Sequence, residues 1–375
     1  MRKIRLIKAM AMAAILAALA VVWGGSAECA EARAGVAPPA AARRGAIDMP
    51  RWSPDGGKIA FVYSLGGGSD VYTVDADGTG LMNISRAPGR NTNPVWSPDG
   101  KWLLFTSDRN KQTDICKADR DGGQVECWKN PGDDMWPAWS PDGATIAYCN
   151  YASGESLVYL MDSAGGNRQL LHDERASHPA FSSDGKKLAM TASGNLLVYD
   201  LKSRKSKNIT KALLEGWVVE DTMPVWAPRG NRIAFIGKYE GYASELYTID
   251  SDGGKVRRIS ETLYENFLPA WEPKSKGIAY SAYVAGRLPE IFVSEPESPV
   301  KRRLTDNYVI EMDPRFSPDG KKILFVARIG TNTDMYIMDA EGKTEPEKFL
   351  KEGLPTVEQM RKKAEAARKR KAATQ

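Results

Sequence analysis

Several features of common enzymes and membrane proteins are missing from this 375-residue sequence. It contains no G-x-S-x-G motif, which excludes the nucleophile elbow of a serine hydrolase. Its one long apolar run, from about Ala9 to Trp23, is short for a membrane-spanning helix. Its Asp-Gly segments lie in six-residue turns, whereas an EF-hand loop needs about twelve residues ending in Glu, so we predict no calcium site of that kind.

The N-terminal segment has the layout of a secretory signal peptide, with basic residues before the apolar run and small residues after it. We predict a signal peptide over residues 1–27, with cleavage after Ala27 or as late as Ala32, and a periplasmic or secreted mature protein. An uncleaved anchor and a lipoprotein are the alternatives, and Glu28 before Cys29 disfavours the second. Residues 28–45 are rich in Ala and Pro, which predicts a flexible linker.

The net charge of +5 is carried by the two ends of the chain. Residues 1–44 carry +5 and residues 359–371 carry +6, so the rest of the chain carries −6. A mildly acidic body argues against nucleic acid as a partner. The helix-prone basic tail, residues 351–375, is either a solvated helix or a contact for anionic lipid or an acidic protein, and it is the only membrane contact that we predict.

Two of the four cysteines are placed to form a disulfide. Cys116 and Cys127 are equidistant from Asp121-Gly122, and a two-residue hairpin turn there would set them opposite each other. That register also makes them a hydrogen-bonded pair, which is the wider kind and less suited to a bridge. The sequence therefore leaves this disulfide undecided.

A phrase built on Trp-Ser-Pro-Asp-Gly recurs along the chain, as in "PVWSPDGKWLLF". Its aromatic residue recurs every 42 to 45 residues, at Trp52, Trp96, Trp139, Phe181, Trp226, Trp271 and Phe316. A fixed period of this length indicates a repeat architecture. Ser-Pro-Asp-Gly predicts a type I turn followed by a glycine with positive φ, and we expect the aromatic residue to pack between neighbouring repeats.

Each repeat contains four short apolar stretches divided by turn signals, which predicts a four-stranded antiparallel sheet. Such a sheet cannot bury both faces alone, so we predict an all-β fold in which the repeats stack radially as a β-propeller over residues 46–350. Seven repeats favour seven blades, with six blades and an irregular module as the alternative. The ring closes either without exchange of strands or with a strand from residues 36–46 in the last blade.

The repeated "P-x-W-S-P-D-G-K-x-I-A-F", followed by strands such as "DVYTVD" and "DMYIMD", resembles the WD40-like propeller repeat of TolB-like periplasmic proteins. Related blades occur in TolB, in oligogalacturonate lyases and in the propellers of prolyl oligopeptidases. TolB proper has a further N-terminal α/β domain that residues 31–49 are too short to supply, so the resemblance does not imply a place in the Tol–Pal system. By this resemblance a lyase would need a histidine cluster that holds a metal, and His172 and His178 cannot supply three ligands.

The short turns would all lie on one rim of the propeller, and the longer, more varied connections on the other, which we name the loop-rich face. Loops on a rigid scaffold are the usual location of binding residues. One residue in each repeat stands three positions before the first proline of the phrase P-x-W-S-P-D-G. We expect these residues to ring the channel mouth: Ile47, Asn91, Asp134, Ala176, Asp221, Asn266 and Glu311. The predicted partner-binding residues are Asp134, Trp136, Trp217, Glu220, Asp221, Tyr264, Asn266, Phe267, Tyr308 and Glu311.

For the acids and amides in this set, the alternative is that each caps the entry into an inner strand, and for the aromatic residues that they fold back over the blades. We predict an exported, monomeric, non-catalytic scaffold that binds another envelope or secreted protein. The alternatives are a glycan- or small-ligand-binding propeller, and a lyase or glycosidase acting through paired carboxylates. We expect no cofactor, and a divalent cation in the channel is left open.

Overall fold

A computed structural model describes residues 45–354, except 153, 212–216, 220–223, 240–243, 261–266, 285–287, 299, 331 and 352. Of residues 217–219, 239, 267 and 268 it describes the backbone alone. The expected signal peptide, the linker up to residue 44 and the tail from residue 355 lie outside the described residues. Every element within them is a β-strand, and none of them forms a helix that is long and apolar enough to cross a bilayer.

The strands form seven antiparallel sheets, so the predicted seven-bladed propeller is confirmed and the six-bladed alternative is wrong. Each sheet takes its strands from one continuous stretch of chain, and we number the blades 1 to 7 in chain order. In blade 5 the inner strand is divided into two pieces that both pair with the next strand.

Blade 1 contains β1 Ala46–Trp52, β2 Lys58–Leu65, β3 Gly68–Asp75 and β4 Met82–Asn83. Blade 2 contains β5 Asn91–Trp96, β6 Trp102–Ser107, β7 Asp114–Asp119 and β8 Val125–Trp128. Blade 3 contains β9 Asp133–Trp139, β10 Thr145–Tyr151, β11 Leu157–Asp162 and β12 Gln169–His172. Blade 4 contains β13 Ser177–Phe181, β14 Lys187–Ala192, β15 Asn195–Asp200 and β16 Lys205–Asn208.

Blade 5 contains β17 Trp217–Val219, β18 Val225–Trp226, β19 Arg232–Tyr239, β20 Glu245–Asp250 and β21 Arg257–Arg258. Blade 6 contains β22 Phe267–Trp271, β23 Ile278–Ala282, β24 Glu290–Ser294 and β25 Lys301–Arg303. Blade 7 contains β26 Ile310–Phe316, β27 Lys322–Ile329, β28 Asn332–Asp339 and β29 Glu347–Lys348.

The hydrophobic core lies between the blades. The described residues form seven buried clusters, and each cluster joins the side chains of two neighbouring blades. The motif aromatics lie in these clusters, and several of them also bond to the preceding blade. The indole N–H of Trp96 donates to the Arg51 carbonyl at 3.0 Å, and that of Trp271 donates to the Val225 carbonyl at 2.9 Å.

The Ser-Pro-Asp-Gly turns have the geometry that the sequence predicts. In blade 2 the Gly100 N–H donates to the Ser97 carbonyl at 2.9 Å, and Gly100 has a φ of +68°. The Ser97 hydroxyl donates to Asp99 at 2.6 Å and accepts the Trp102 N–H at 2.9 Å, so it ties both ends of the turn together. The turn thus joins inner strand to second strand with all of its central polar groups engaged.

The ring closes by packing of blade 7 on blade 1, without exchange of strands. The four strands of the last blade all come from residues 310–348, and β1 is the inner strand of the first blade. The Ile47 N–H donates to the Thr333 hydroxyl, the Lys351 N–H donates to the Gly78 carbonyl at 3.2 Å, and one cluster of buried side chains spans the interface. The closing interface, like the others, is therefore made by packing and hydrogen bonds between two complete sheets.

Cys116 and Cys127 form a disulfide between β7 and β8, with their Cα atoms 3.9 Å apart. The expectation of a wide, hydrogen-bonded pair is wrong, because the hairpin is not closed by a two-residue turn. The Asp119 carboxylate accepts the N–H groups of Asp121, Gly123 and Gln124, and the Asp119 N–H bonds to the Gln124 carbonyl. This wider loop moves the cysteines to a narrow, non-hydrogen-bonded pair of the ladder.

Candidate functional site

The seven inner strands surround the central channel, and each one contacts the inner strands of both neighbouring blades. In the five blades where the structure describes it, the residue three positions before the first proline of the repeated phrase is bonded to the preceding blade. The Asp134 N–H donates to the Thr113 carbonyl at 2.7 Å, the Ala176 N–H to Ser156 at 3.0 Å and the Glu311 N–H to Pro289 at 3.0 Å. These partners all lie at the start of the third strand of the preceding blade, so this position joins one blade to the next.

The side chains at this position are buried and bonded within the protein. Asp134 is fully buried, and its carboxylate accepts the side-chain amides of Asn150 at 2.7 Å and Asn130 at 2.6 Å. Loss of solvation raises the pKa of Asp134 to about 6, although both amide donors oppose this shift. Asn91 is also fully buried, and its amide donates to the Ser69 and Ala87 carbonyls.

Glu311 is the counterpart of Asp134 in blade 7, and it organises the loop that precedes it. The Glu311 carboxylate is almost fully buried and accepts the Thr305 hydroxyl and, at 2.7 Å, the Asn307 amide. The Asn307 side-chain oxygen in turn accepts the Val309 N–H at 3.0 Å. The loop of residues 304–309 is therefore fastened to a buried carboxylate, whose pKa is raised by burial.

Tyr308 projects from this fastened loop on the loop-rich face, and its side chain is 84% exposed. Two further large apolar residues on the same face of blades 6 and 7 are exposed: Leu288, which precedes β24, and Ile329 at the end of β27. We call Leu288, Tyr308 and Ile329 the apolar rim. The described residues expose five large hydrophobic side chains in all, so most of them lie on this part of the loop-rich face.

A β-bulge interrupts the inner strand at the residue before the first proline of the repeated phrase. In five blades this residue has a left-handed φ of 50° to 54°: Met49, Asn93, Trp136, His178 and Asp313. A bulge changes the direction of the side chain at its position, and two of these bulges contact an inner strand of the next blade. The Trp136 and His178 rings lie 4.0 Å apart, and Asp313 accepts Arg51 of blade 1 at 3.1 Å.

A family comparison identifies the repeat. The TolB beta propeller domain matches this sequence over residues 34–135 and 127–282, which together make up most of the chain. The chain belongs to the TolB β-propeller domain family. The resemblance inferred from the repeated phrase is confirmed.

Solved structures with the same fold include members of several functional classes. An oligogalacturonate lyase from Vibrio parahaemolyticus matches with a TM-score of 0.60 and 14% identity over 77% of this chain and 88% of its own. The propeller domain of the Trilobed protease from Pyrococcus furiosus, described as having an open velcro topology, matches with 0.62 and 13% over 84% and 100%. TolB from Acinetobacter baumannii is 23% identical over 75% and 76%, with a TM-score of 0.47. The likenesses to the lyase and to the protease propeller show a shared fold and not a shared activity.

The TolB-type propeller separates the predicted partner-binding residues into groups. Glu220, Asp221, Tyr264 and Asn266 lie outside the described residues, and of Trp217 and Phe267 the structure describes only the backbone. Asp134 and Glu311 are buried, so these two acids do not form part of an open acidic ring at the channel mouth. Trp136 is half-buried against His178, and Tyr308 is exposed.

Sequence reasoning missed Leu288 and Ile329. Each lies next to a residue that ends or interrupts a strand, since Leu288 precedes Pro289 and Ile329 precedes Gly330. An apolar residue at such a boundary is the available signal, because the neighbouring blade no longer covers a strand beyond its end. The apolar run of β27 hides this signal, since Ile329 follows five consecutive buried residues with only Arg328 between.

Proposed function

We propose that this protein is an exported, monomeric, non-catalytic TolB-like propeller that binds another envelope or secreted protein through its loop-rich face. The apolar rim is the contact surface, and Tyr308 is its central anchor. The proposal requires no cofactor.

The observation that carries this proposal is an exposed aromatic side chain on a fastened loop. Tyr308 is 84% exposed, yet the residues on both sides of it are bonded directly or through Asn307 to the buried Glu311. Exposed aromatic residues are frequent hot spots of protein interfaces. A loop that is already ordered loses less conformational entropy when a partner binds, which favours affinity.

The charged groups beside the loop add to its order. Arg303 bonds to the fully buried Glu290, and it also donates to the Thr305 carbonyl at 2.9 Å and to Asp306 at 2.7 Å. The base of the loop is thus held by an ion pair, and its tip by Glu311. Tyr308 is the part of this segment that is left exposed for a partner.

Two observations support an oxidising compartment outside the cytoplasm. The first is the Cys116–Cys127 disulfide, because structural disulfides are typical of exported proteins and rare in the cytosol. The second is the signal-peptide layout of residues 1–27. The basic tail lies outside the described residues and is proposed only as an additional contact for anionic lipid.

The proposal of a non-catalytic role rests on the residues of the sequence. It contains two histidines and no G-x-S-x-G motif. His178 lies against Trp136 in an inner-strand bulge, whereas His172 lies at the end of the outer strand β12, so the two occupy different positions in the fold. The described residues contain no group of three His, Cys, Asp or Glu side chains that could hold a metal.

The test is a binding experiment with the mature protein as bait in an extract of its own cell envelope. We expect a polypeptide that is retained by the wild type and lost with Tyr308→Ser. After purification, its Kd should rise about 10-fold or more with Tyr308→Ser. Asn307→Ala should bind the same polypeptide more weakly, because Tyr308 is kept while its loop is released.

Val300→Ser is the matched control, since Val300 is 67% exposed but lies on the opposite face of blade 6. It should retain the polypeptide with unchanged Kd. Circular dichroism and thermal unfolding show that each variant is folded. An identical set of retained proteins for the wild type, Tyr308→Ser and Val300→Ser would reject the loop-rich face as the binding surface.

A second candidate function, glycan binding in the channel, is favoured by the charges between blades 7 and 1. Asp313 is paired with Arg51 and with Arg315. Asp48 on β1 is exposed at the surface, and partial loss of solvation and then repulsion from Asp313 raise its pKa to about 6. Carboxyl oxygens and guanidinium groups that lie together can accept from and donate to the hydroxyl groups of a carbohydrate. Binding of oligosaccharides on a glycan array that is lost with Asp48→Asn, and kept with Tyr308→Ser, would favour this candidate.

A further inference from the structure

Five of the seven blade interfaces share one packing arrangement near the short-turn face. The residue that follows the outer strand of one blade lies beneath a glycine in the outer turn of the next blade. The pairs are Ile84 with Gly122, Trp128 with Gly165, Ile209 with Gly253, Leu304 with Gly342 and Phe349 with Gly78. A Cβ atom on these glycines would lie 2.2 to 3.2 Å from the residue below, so the turn and the apolar residue fill the space completely.

The interface between blades 5 and 6 lacks this glycine but is filled in another way. Glu297, in the outer turn of blade 6, pairs with Arg257 of blade 5 at 2.8 Å and also with Arg232. Ion pairs therefore bridge the space at this interface.

The interface between blades 3 and 4 has neither arrangement. His172 occupies the position of the apolar residue, and the outer turn of blade 4, residues 201–204, contains no glycine. Blade 4 also has Phe181 in place of the tryptophan of the repeated phrase, and Ser183 in place of the proline of Ser-Pro-Asp-Gly. A cleft of about 550 Å³ lies between the two blades, and Phe181 and Ser183 both line it.

Apolar and polar side chains both line the cleft, and charged side chains lie at its two ends. Its apolar side chains are Leu160, Leu170, Leu171, Phe181, Tyr199 and Leu201, and Leu170 is 45% exposed. Asp142 and Asp184 lie on the inner turns at one end, where the Ser140 and Ser182 hydroxyls hold the pKa of each carboxyl below its usual range. Arg204 lies on the outer turn at the other end.

A buried polar atom without a partner lies beside this cleft. His172 is more than nine-tenths buried, and its Nε2 has no hydrogen-bond partner among the described residues. An oxygen of Glu174 lies 3.9 Å from Nε2. The imidazole packs against Tyr199 of the cleft lining, with 6.4 Å between the ring centroids. Buried polar groups in proteins are nearly always bonded, so an unpartnered one indicates a missing contact.

We propose that this cleft binds a short segment of a partner polypeptide, which places a leucine or aromatic side chain in the apolar lining and a lysine or arginine beside Asp142 and Asp184. At five interfaces the equivalent space is filled by the chain itself, with a turn of one blade packed over an apolar side chain of the other. Between blades 3 and 4 the partner supplies the backbone and the apolar side chain that fill this space. Asp184 has Lys186 at 3.9 Å, whereas Asp142 has no basic side chain within 4 Å among the described residues, and this favours a basic residue of the partner beside Asp142.

The test uses a library of random 12-residue peptides displayed on phage and selected on the purified full-length protein. We expect enriched peptides that pair an aromatic residue or leucine with lysine or arginine. The Kd of a synthetic peptide from this set should rise at least 10-fold with Leu170→Glu, which changes an exposed residue of the lining.

Val300→Glu is the control, because it adds the same charge to an exposed apolar residue of another blade on the same face. It should leave the Kd unchanged, and so should Tyr308→Ser, which separates this site from the proposed one on the loop-rich face. The proposal is overturned if no peptide is enriched relative to the Leu170→Glu protein. It is equally overturned if the cleft takes up the dye 1-anilinonaphthalene-8-sulfonate in a Leu170-dependent manner but selects no peptide.

Discussion

At the scale of single residues, the buried carboxylates combine two roles. Asp134 and Glu311 each join an inner strand to the preceding blade through their backbone N–H groups. Their side chains accept bonds from nearby amide or hydroxyl groups and so fix the connections on the loop-rich face. Burying a carboxylate in this way disfavours its charged form, and stability then depends on pH.

The pKa of Asp134 predicts the sign of this dependence. The folded protein holds the proton more tightly, since the pKa is about 6 when folded and close to 3.8 when unfolded. The stabilisation by this proton is complete below pH 3.8 and is lost as the pH rises to about 6. Relative to Asp134→Asn, the wild type should lose on the order of 3 kcal/mol of unfolding free energy across this range, measured by urea denaturation.

Asp99→Asn provides a contrast of opposite sign. The Ser97 hydroxyl and then the Lys101 N–H lower the pKa of Asp99 in the turn of blade 2. The wild type should therefore gain stability relative to Asp99→Asn as the pH rises from below 4. If both variants give parallel pH profiles, the assigned environment of Asp134 is wrong.

At the scale of the element, the repeated turn depends on a glycine that tolerates a left-handed backbone. Gly100 has a φ of +68°, a conformation that costs an L-residue energy. Gly100→Ala should lower the free energy of unfolding by about 1 kcal/mol, measured by urea denaturation. Gly353→Ala is the control, since nothing lies within 4 Å of an added Cβ there and its φ is not left-handed. It should leave stability unchanged or raise it slightly, and an equal loss in both variants would contradict this account.

The elements were predictable from sequence to different degrees. The repeated turn and its strands follow from local chemistry, because proline and glycine fix the backbone at each Ser-Pro-Asp-Gly. The hairpin at Asp121-Gly122 was expected to be tighter than it is, because the Asp119 side chain takes three N–H groups and widens it. The burial of Asp134 and Glu311 could not be read from their own blade, because the preceding blade and the loops around them supply the covering atoms.

At the scale of the whole molecule, the ring depends on an interface without a shared strand. The Ile47 N–H, at the start of β1, bonds to the Thr333 hydroxyl of blade 7, where other blades use a carbonyl or a serine hydroxyl of the preceding blade. Arg51 and Asp313 add an ion pair across the same interface at 3.1 Å. The closure thus depends on side chains that single substitutions can remove.

Thr333→Val tests this closure. It leaves the buried Ile47 N–H without its acceptor, which should lower the free energy of unfolding by about 1–3 kcal/mol and speed hydrogen exchange in β1. Thr73→Val is the matched control, because the Thr73 hydroxyl is buried and has no bonding partner among the described residues. It should be neutral or stabilising, and equal losses in the two variants would remove the special role of Thr333.

Each blade is formed by one continuous stretch of chain, and this has a consequence for how the gene of such a protein can gain or lose repeats. A duplication or deletion of 42 to 45 codons that respects the repeat adds or removes a complete sheet and leaves every other sheet intact. In a ring sealed by a strand shared between the two ends, the same event would have to preserve that shared sheet as well. The chain of this propeller should also tolerate circular permutation at a boundary between blades, because no sheet takes strands from two separate stretches of chain.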